Sequence, residues 1–336
     1  MLCHVIFLVS SAGQAKNAPM KLFLGIDGGG TKTRAVFVDS KGNLLGQGEA
    51  GSSNYHNVGI KSAVEAIRSA ASQAGRLAGL TKPIPHAAFL GCAGIKASVD
   101  IARLTSAAEM AGIGPAGEIT VANDLHNALA GGLTGRPGIA LIAGTGTNCL
   151  GRDASAETFM CGGWGWLLDD VGGGIGLALA AFRAAARAAD GREPQTQLLP
   201  STLAFLGLTE PNEILARLYV ERWTPDELAG FAPVVERCAE EGDATAKRIL
   251  LEGAKALGNL VAGAAKGLHF SEGPEVVILG GCARSGPCYL PLIEAAIRKA
   301  CSGARLVDPE GSTVHGAALN ALRAGGIDPI PKLKQH

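Results

Sequence analysis

The sequence lacks the features that mark several large classes of protein. Only 4% of its 336 residues are aromatic and 18% are charged, and 30 basic residues balance 30 acidic ones. This balance gives no global field that would attract nucleic acid or an anionic membrane, so we expect neither partner. No apolar run is long enough to span a bilayer. A hydrophobic content of 47% nevertheless predicts a folded protein, and the length suits two domains.

The cysteines lack the spacing of a zinc or redox site. No two of them form a Cys-x-x-Cys pair. Several lie in apolar runs, where a reduced thiol packs like a small hydrophobe. They stand at positions 3, 92, 149, 161, 238, 282, 288 and 301. We therefore expect reduced thiols and a cytoplasmic protein.

The first nineteen residues lack the pattern of a secretory signal. Residues 5–9 are apolar, but no Lys or Arg precedes them. We interpret residues 1–19 as a disordered extension or the result of a misplaced start codon, and Met20 as the true start.

The chain instead shows two similar blocks of strands and helices. Residues 20–136 follow the order βββαβαβα, which is typical of a ribonuclease-H-like lobe. A break at Arg136-Pro137-Gly138 precedes a second strand, Gly/Thr turn and strand, which indicates an internal duplication. We therefore predict an α/β protein of two ribonuclease-H-like domains, residues 20–136 and 137–326, with a cleft between them.

The second domain is expected to carry helical insertions. We predict one helix over residues 226–240, a long helix over residues 244–269, and a last helix over residues 314–323. That last helix could pack back on the N-terminal domain. Short strands are expected at residues 275–279 and 305–307.

A first glycine-rich turn joins the first two predicted strands. Glycines let backbone N–H groups approach phosphate oxygens, and threonine hydroxyls add donors. The candidate phosphate ligands are Gly28, Gly29, Gly30, Thr31, Lys32 and Thr33. Asp27, at the strand end, could hold a hydrated Mg²⁺ ion. Neither the Rossmann nor the Walker A spacing fits, because a strand follows the turn. A plain hairpin without ligand is the alternative.

A second turn at the equivalent place in the repeat strengthens the phosphate interpretation. It contains Gly144, Thr145, Gly146 and Thr147. Two such hairpins on opposite sides of a cleft could grip one triphosphate. A plain turn is again the alternative.

Three further segments carry candidate chemistry. Asp124 ends a strand before a helix, where it could accept a proton from an attacking hydroxyl or simply cap the helix. Residues 161–174 combine glycines with Asp169 and Asp170, which suits a polyhydroxylated ligand, while Trp164 would lie beneath the pocket or fill the core. Gly280 and Gly281 could lie against adenine or ribose.

Together these motifs resemble a known family. Five segments have the order and spacing of that family's motifs. They are residues 25–33, the Asn123-Asp124 strand end, residues 144–149, residues 161–165 and residues 279–281. The chain, over residues 21 to about 325, resembles the N-acetylglucosamine kinase branch of the BadF/BadG/BcrA/BcrD ATPase family. This resemblance implies that the two domains are actin-like ATPase domains of the sugar-kinase superfamily. The Gly-Thr-Gly-Thr-Asn-Cys and Cys-Gly-Gly-Trp-Gly segments are the most specific.

The resemblance implies roles for individual residues. It implies ATP-dependent phosphorylation of an amino sugar, foremost N-acetylglucosamine to its 6-phosphate, with Mg²⁺ as cofactor, Asp124 as general base and a homodimeric protein. Glucosamine and N-acetylmuramic acid are alternative substrates. The implied sugar contacts are Asn54, Gly94, Asp124, Asn148, Gly163, Trp164 and Asp170.

Departures from the family pattern keep other functions open. The family commonly has Gly-Asp-Glu-Gly-Ser where this chain has residues 169–173, so Val171 and Gly173 replace Glu and Ser, and Ala93 replaces a serine of some relatives. One alternative is an ATPase that activates a 2-hydroxyacyl-CoA dehydratase through a shared iron–sulfur cluster. Another is a non-catalytic ATP- or sugar-binding module.

Overall fold

Two five-stranded mixed sheets form the framework of the protein. The computed structural model describes residues 20–221 and 223–334, so the predicted extension of residues 1–19 lies outside the described part. Among the described residues, no helix combines the length and the hydrophobicity needed to cross a bilayer.

The first sheet has the strand order β3-β2-β1-β4-β5. Strands β1 to β3 are antiparallel neighbours, and β4 and β5 run parallel to β1. Its strands are β1 Leu22–Gly28, β2 Lys32–Asp39, β3 Leu44–Gly51, β4 Ala87–Cys92 and β5 Ile119–Asn123. One face is covered by the helices α1 Tyr55–Val58, α2 Ile60–Leu77 and α3 Ser98–Met110. Apolar side chains from both layers form a continuous core there.

The second sheet repeats this plan. Its strands are β6 Gly138–Ala143, β7 Thr147–Arg152, β8 Thr158–Gly162, β9 Glu275–Leu279 and β10 Arg305–Val307. The order is β10-β9-β6-β7-β8, which matches the first sheet when β6 is placed on β1. Strand β8 was not predicted, because it is a partly exposed edge strand without a buried, alternating face.

Helices surround the second sheet and connect the sheets. They are α4 Leu125–Gly132, α5 Gly174–Ala189, α6 Leu198–Leu206, α7 Ile214–Val220, α8 Pro225–Ala229, α9 Ala232–Glu240, α10 Ala244–Lys266, α11 Tyr289–Ala300 and α12 Thr313–Ala324. Short 3₁₀ helices cover Pro211–Glu213 and Cys282–Arg284. The core of this lobe joins α5, α9, α10 and α11 to one face of the sheet.

Two helical expectations need correction. The single helix predicted over residues 226–240 is two helices, α8 and α9, separated at Gly230 and Phe231. Pro233 lies in the first turn of α9, where its missing N–H costs nothing and a new helix can begin. Helix α6 was not predicted at all.

Helices α4 and α12 lie between the two sheets. Helix α4 follows the last strand of the first sheet, yet Leu125, Leu129 and Leu133 pack on the second sheet. Helix α12 follows the last strand of the second sheet, yet Val314 and Leu322 pack on the first. This exchange holds the two lobes together.

Glycines allow α4, α12 and β1 to approach closely. A side-chain atom at Gly316 would overlap the backbone of α4 at Asn127, and one at Gly25 would overlap the backbone of α12 at Ala317. The fully buried Asn127 side chain donates to the carbonyl oxygens of Ile26 and Gly91. Its Oδ1 accepts a hydrogen bond from Asn320 at 3.3 Å. The junction is therefore fixed by backbone contact and by paired buried amides.

Candidate active site

The second glycine hairpin, residues 144–147, is held tightly in the second lobe. Its ends are joined by a hydrogen bond from the Gly144 N–H to the Gly146 carbonyl at 3.0 Å. The N–H groups of Gly174 and Ile175 donate to the carbonyls of Gly144 and Thr145, which docks the hairpin on the first turn of α5. This helix end directs partial positive charge toward the hairpin. Such an arrangement suits an anion.

Asp170 shapes this hairpin from below. Its Oδ1 accepts hydrogen bonds from the Thr147 N–H at 2.6 Å and from the Thr147 hydroxyl at 3.1 Å. Any side chain at Gly146 would press on the Asp170 carboxylate. Asp170 is buried and adopts a φ of 64°, a left-handed conformation that is strained for a residue other than glycine. It therefore positions the hairpin, and the sugar contact implied for it stays a prediction.

Two cavities meet at this hairpin and share Gly144 and Thr145. The inner cavity, of about 270 Å³, is also lined by Asp124 and Asn148. The outer cavity, of about 470 Å³, extends between α8, α9 and Gly281. The hairpin thus divides one groove into two adjoining compartments.

Asp124 is the acidic group of the inner cavity that faces the hairpin from the first lobe. It precedes α4, but its side chain does not cap that helix. Burial, and then the negative charge of Asp27, raise the pKa of Asp124 to about 6. The backbone N–H groups of Asp124 and Leu125 only partly offset this rise. A carboxylate with such a pKa is suited to accept a proton near neutral pH.

Asp27 lies at the end of β1, near Asp124. Its Oδ2 accepts a hydrogen bond from the Thr313 hydroxyl at 2.5 Å, and its Oδ1 is 3.5 Å from the Asn127 amide nitrogen. Thr313 is in the first turn of α12, so the second half of the chain orients a carboxylate of the first. The predicted Mg²⁺ ligand and the predicted base therefore share one region.

The first glycine hairpin, residues 28–33, is less clearly a phosphate site than the second. It is closed by a hydrogen bond from the Gly29 N–H to the Lys32 carbonyl at 2.8 Å, and Gly30 faces open space. Gly28 instead lies against Ser53 and Cys92, where a side chain would overlap both. None of these residues lines the two cavities.

Thr33 is the member of this hairpin whose side chain is buried. It is fully buried and donates its hydroxyl proton to the Gly51 carbonyl at 2.7 Å. A hydroxyl has only one proton to donate. In this structure the Thr33 hydroxyl proton is therefore engaged within the first lobe, and the phosphate contact expected of Thr33 stays a prediction. Lys32 and Thr31 are exposed, and Lys32 lies 3.8 Å from Glu49.

The implied sugar contacts fall into two groups. Asn54 caps α1 and accepts a hydrogen bond from the His56 N–H, and its side chain lies against Gly94, whose φ is 84°. Asn148 is in the second lobe, where its amide lies against Gly163, whose φ is 71°. Both glycines therefore leave room for an asparagine side chain.

Lys96 connects the two lobes and was not singled out from the sequence. Its ammonium group donates to the carbonyl of Gly163 across the inner cavity, which it also lines. Its N–H and that of Ala97 bond to Asp100. The Tyr55 hydroxyl, foremost, and these N–H groups lower the pKa of Asp100 to about 2. The only sequence signal was a lysine two residues after Gly94.

Trp164 does not fill the core. Its side chain is 73% exposed, and the inner cavity is lined by Gly163 and Gly165 rather than by Trp164. The expectation that Trp164 packs in the core is therefore wrong, whereas its contact with the sugar stays a prediction. Trp166, Leu167 and Leu168 are also exposed, so residues 164–168 form an apolar segment beside the cleft.

Gly280 and Gly281 follow β9 at the outer cavity. Gly280 has a φ of 100°, and a side chain there would overlap the Ala143 carbonyl and lie 2.9 Å from the Gly144 nitrogen. Glycine is thus required for β9 to end against the second hairpin. Gly281 lines the outer cavity and faces open space.

The sequence as a whole agrees with this architecture. Residues 24–321 match the sequence profile of the BadF/BadG/BcrA/BcrD ATPase family. The chain belongs to this family. As a BadF/BadG/BcrA/BcrD ATPase, it has the actin-like ATPase fold that the two matching sheets form.

The relatives of this ATPase with curated functions are sugar kinases, that is, phosphotransferases. It is 31% identical over 238 residues to the N-acetylmuramic acid/N-acetylglucosamine kinase of Clostridium acetobutylicum, a match that covers 71% of this chain and 77% of the relative. It is 30% identical to the N-acetyl-D-glucosamine kinase of Dictyostelium discoideum, over 90% of this chain and 98% of the relative.

Solved structures show the same fold. A protein of Chromobacterium violaceum, provisionally named an N-acetylglucosamine kinase, has a TM-score of 0.70 and 26% identity, over 91% of this chain and 99% of that one. A ROK family glucokinase of Streptomyces griseus has a TM-score of 0.53 at 20% identity, over 90% and 99% of the two chains.

Proposed function

We propose that this protein is an ATP-dependent kinase that phosphorylates an amino sugar, foremost N-acetylglucosamine, to its 6-phosphate. The observation that carries the proposal is the placement of Asp124. Its carboxylate shares the inner cavity with the second glycine hairpin, and its pKa is raised to about 6. A base of this strength beside a phosphate-binding hairpin is what phosphoryl transfer to a hydroxyl requires.

The outer cavity suits the nucleoside end of ATP. It adjoins the second hairpin and is bounded by Gly230, Gly281 and Ser285. The phosphates would then pass over the hairpin, where backbone N–H groups and the end of α5 favour negative charge. Thr145 donates its hydroxyl to Asp226 at 2.7 Å, which connects the hairpin to the wall of this cavity.

The residues present fit a Mg²⁺ ion. Asp27 offers a hard oxygen ligand at a strand end, and the neighbouring Asp124 carboxylate adds uncompensated negative charge. Mg²⁺ in kinases is held by one or two carboxylates together with water and substrate phosphates. Asp27 would hold the ion, which would supply charge neutralisation for the phosphates.

The reaction follows from these positions. The sugar lies in the inner cavity with its primary hydroxyl toward Asp124, which takes the hydroxyl proton. The oxygen attacks the γ-phosphorus of ATP, a new P–O bond forms, and the bond to the β-phosphate oxygen breaks to leave ADP. Lys96 and Gly163, which join the lobes across this cavity, help to exclude water.

The substrate class is inferred from the relatives and the sugar-side residues. The named relatives act on N-acetylglucosamine, N-acetylmuramic acid or, for a protein of Vibrio cholerae at 26% identity, glucosamine. Asn148 provides an amide in the inner cavity, and Asn54 lies against Gly94, two residues before Lys96, which also lines that cavity. Gly173 lies against the hairpin, with the Thr145 carbonyl 2.8 Å from where a side chain would begin. The family's serine would not fit there without a shift of the hairpin. A cytoplasmic homodimer stays a prediction.

A redox ATPase is less well supported. Cys161 of β8 lies opposite the buried Cys149 of β7 in the sheet register. It also packs against Gly263 of α10, where an added side chain would overlap the Cys161 sulfur. Burial raises the pKa of Cys161, which disfavours the thiolate that ligates iron.

A coupled assay of ADP release tests the proposal. ADP should form only when ATP, Mg²⁺ and a sugar are all present, and the product should be the 6-phosphate by ³¹P NMR. The panel contains N-acetylglucosamine, glucosamine, N-acetylmuramic acid, glucose and no sugar. If glucosamine or N-acetylmuramic acid is the best substrate, the proposed substrate is wrong but the proposed kinase activity stands. ADP release that is the same without sugar would reject the kinase.

A further inference from the structure

A third cavity lies between the lobes, next to α4 and α12. This hinge cavity has a volume of about 260 Å³ and is lined by Phe89, His126, Leu129, Arg152 and Arg323. Its walls therefore come from β4, α4, β7 and α12. Thr120 and Thr158 add hydroxyl groups at its edge. None of these residues has a role in the proposed phosphoryl transfer.

Two arginines bring uncompensated positive charge to this cavity. Arg152 and Arg323 both donate to the carbonyl oxygen of Gly135, so their guanidinium groups are close neighbours. In residues 20–221 and 223–334, neither arginine has a carboxylate oxygen within 4.0 Å. The Asp328 carboxylate acts on Arg323 from a greater distance. Like charges this close are unfavourable without an anion.

One donor at this site has nothing to bond. The Nε atom of Arg152 is buried and has no hydrogen-bond partner among the described residues. A buried, unsatisfied N–H of a charged group is costly, and each such group calls for an explanation such as an absent ion. Burial, and then the charge of Arg323, lower the pKa of Arg152 to about 10.

The histidine of the cavity responds to the same charge. Burial, and then the charge of Arg152, lower the pKa of His126 to about 4. At neutral pH its ring is uncharged and can offer one N–H donor. The cavity therefore presents two guanidinium groups and a neutral imidazole among apolar walls.

We propose that the hinge cavity binds a small phosphorylated anion between Arg152 and Arg323. Phosphate oxygens match the forked donors of arginine and accept several charge-assisted hydrogen bonds at once. The unbonded Arg152 Nε–H supplies one of these donors. The volume leaves room for a phosphate group on a short carbon chain, whose body would contact Phe89 and Leu129.

This site is separate from the proposed ATP groove. Thr147 and Arg152 stand at opposite ends of β7, which places them about 16 Å apart at ~3.3 Å per residue. Because both lobes contribute walls, an anion bound here should resist separation of the lobes and raise the melting temperature.

Calorimetric titration with inorganic phosphate tests the inference. Titrations with glycerol 3-phosphate and with acetate distinguish free phosphate, a phosphomonoester and a carboxylate. We expect Arg152→Gln and Arg323→Gln each to weaken phosphate binding at least tenfold. Arg68→Gln, which removes the same charge from an exposed helix position paired with Glu65, should bind like wild type.

The possible outcomes separate the hinge cavity from other anion sites. Phosphate that binds in the ATP groove would bind equally to wild type and to both hinge variants, which would overturn the inference. Binding that Arg68→Gln weakens to the same extent would be unspecific and would also overturn it. Preference for acetate over both phosphate compounds, or no binding of any, would reject a phosphate site.

Stability measurements guard against unfolded variants. Without phosphate, thermal melting checks that Arg152→Gln and Arg323→Gln are folded, because each loses like-charge repulsion but also a hydrogen bond to the Gly135 carbonyl. If a glutamine variant does not fold, Arg152→Lys and Arg323→Lys keep the charge but lose the forked donors. They should also weaken phosphate binding and reduce its stabilising effect, and wild-type affinity in both would contradict the inference.

Discussion

At the scale of single residues, the chemistry of this protein depends on carboxylates with contrasting surroundings. The Oδ1 atom of Asp170 accepts hydrogen bonds from the N–H and the hydroxyl of Thr147, and these bonds fix the second hairpin. Asp27 accepts from Thr313. Among residues 20–221 and 223–334, no side chain donates to Asp124, and its pKa is raised by burial and by Asp27. Asp170 therefore holds the hairpin, Asp27 is oriented as the proposed Mg²⁺ ligand, and the Asp124 carboxylate remains available to accept a proton.

Asp124→Asn should separate catalysis from nucleotide binding. Removing a general base lowers rates by about 10²–10⁴-fold, whereas the proposed ATP site consists of the hairpin and the outer cavity. We expect sugar phosphorylation to fall by at least a hundredfold and ATP affinity, measured by calorimetry, to stay within about threefold. Asp308→Asn, at an exposed carboxylate, is the matched control and should keep wild-type rates. Wild-type turnover in Asp124→Asn would eliminate Asp124 as the base.

The same variant should be more stable than wild type at neutral pH. The folded Asp124 carboxyl, with its pKa of about 6, keeps its proton up to about pH 6, whereas the unfolded carboxyl loses it near its ordinary pKa of 3.8. The folded state therefore loses stability as the pH rises from about 4 to 6, by at most about 3 kcal/mol. Asp124→Asn avoids this loss. Urea unfolding should show a higher free energy of unfolding for Asp124→Asn than for wild type at pH 7.5 but not at pH 4. An equal difference at both pH values would contradict the raised pKa of Asp124.

The pH dependence of activity should report the same group. Because Asp124 must be ionised to accept a proton, kcat/KM for the sugar should fall about tenfold per pH unit below about pH 6. Initial rates at subsaturating sugar between pH 4.5 and 8 measure this limb. Asp308→Asn should give an unchanged profile. A profile that is flat down to pH 5 would show that a group with a lower pKa limits the reaction.

At the scale of helices and strands, backbone contact between α4, β1 and α12 holds the lobes in place. Gly25, Gly131 and Gly316 all lie where a side chain would overlap neighbouring backbone. Backbone cannot rotate away as a side chain can, so the elements themselves would have to separate. These glycines are therefore structural, in contrast to the glycines of the hairpins.

Gly316→Ala tests this packing. The added methyl group would overlap the Asn127 carbonyl, and overpacking of this kind should lower the free energy of unfolding by about 3 kcal/mol or more. Gly51→Ala is the control, because nothing lies within 4 Å of its added atom. We expect that variant to stay within about 0.5 kcal/mol of wild type. Equal stability of the two variants, by denaturant unfolding, would disprove the backbone contact.

At the scale of the whole molecule, the two lobes meet in the inner cavity at Lys96 and Gly163 and again in the hinge cavity. The first contact joins a loop before α3 to the end of β8. The second brings Arg152 beside Arg323. The inner cavity and the hinge cavity are thus both formed by residues of the two lobes together. Neither lobe alone would contain either cavity.

Lys96→Met should loosen the closed arrangement while keeping the aliphatic stem. Losing the hydrogen bond to the Gly163 carbonyl should raise KM for the sugar about tenfold, which is ~1.4 kcal/mol. Easier water entry should raise ATP hydrolysis without sugar. Steady-state kinetics and small-angle scattering with sugar and ATP analogue measure both. Lys61→Met, at an exposed position of α2, is the control. An unchanged KM and unchanged dimensions would show that this contact does not hold the lobes.

Much of the architecture was predictable because it depends on neighbours in the chain. Alternating strands, glycine turns and the repeat after Gly138 give the same strand order in both sheets. The placement of Asp124 at a strand end, before a helix, follows from local sequence as well. Edge strand β8 and the break between α8 and α9 were missed, because partial exposure and a tertiary bend leave weak local signals.

The sequence alone determined the two-lobed plan, the second hairpin and its neighbouring acid, because turns and strand ends are set by residues a few positions apart. Only the tertiary structure decided that the Thr33 hydroxyl donates to the Gly51 carbonyl and that the Lys96 ammonium group donates to the Gly163 carbonyl. It also decided that Trp164 is exposed and that Arg152 and Arg323 meet at one cavity. These contacts join distant segments, so they depend on how the sheets and helices pack, which no local pattern encodes.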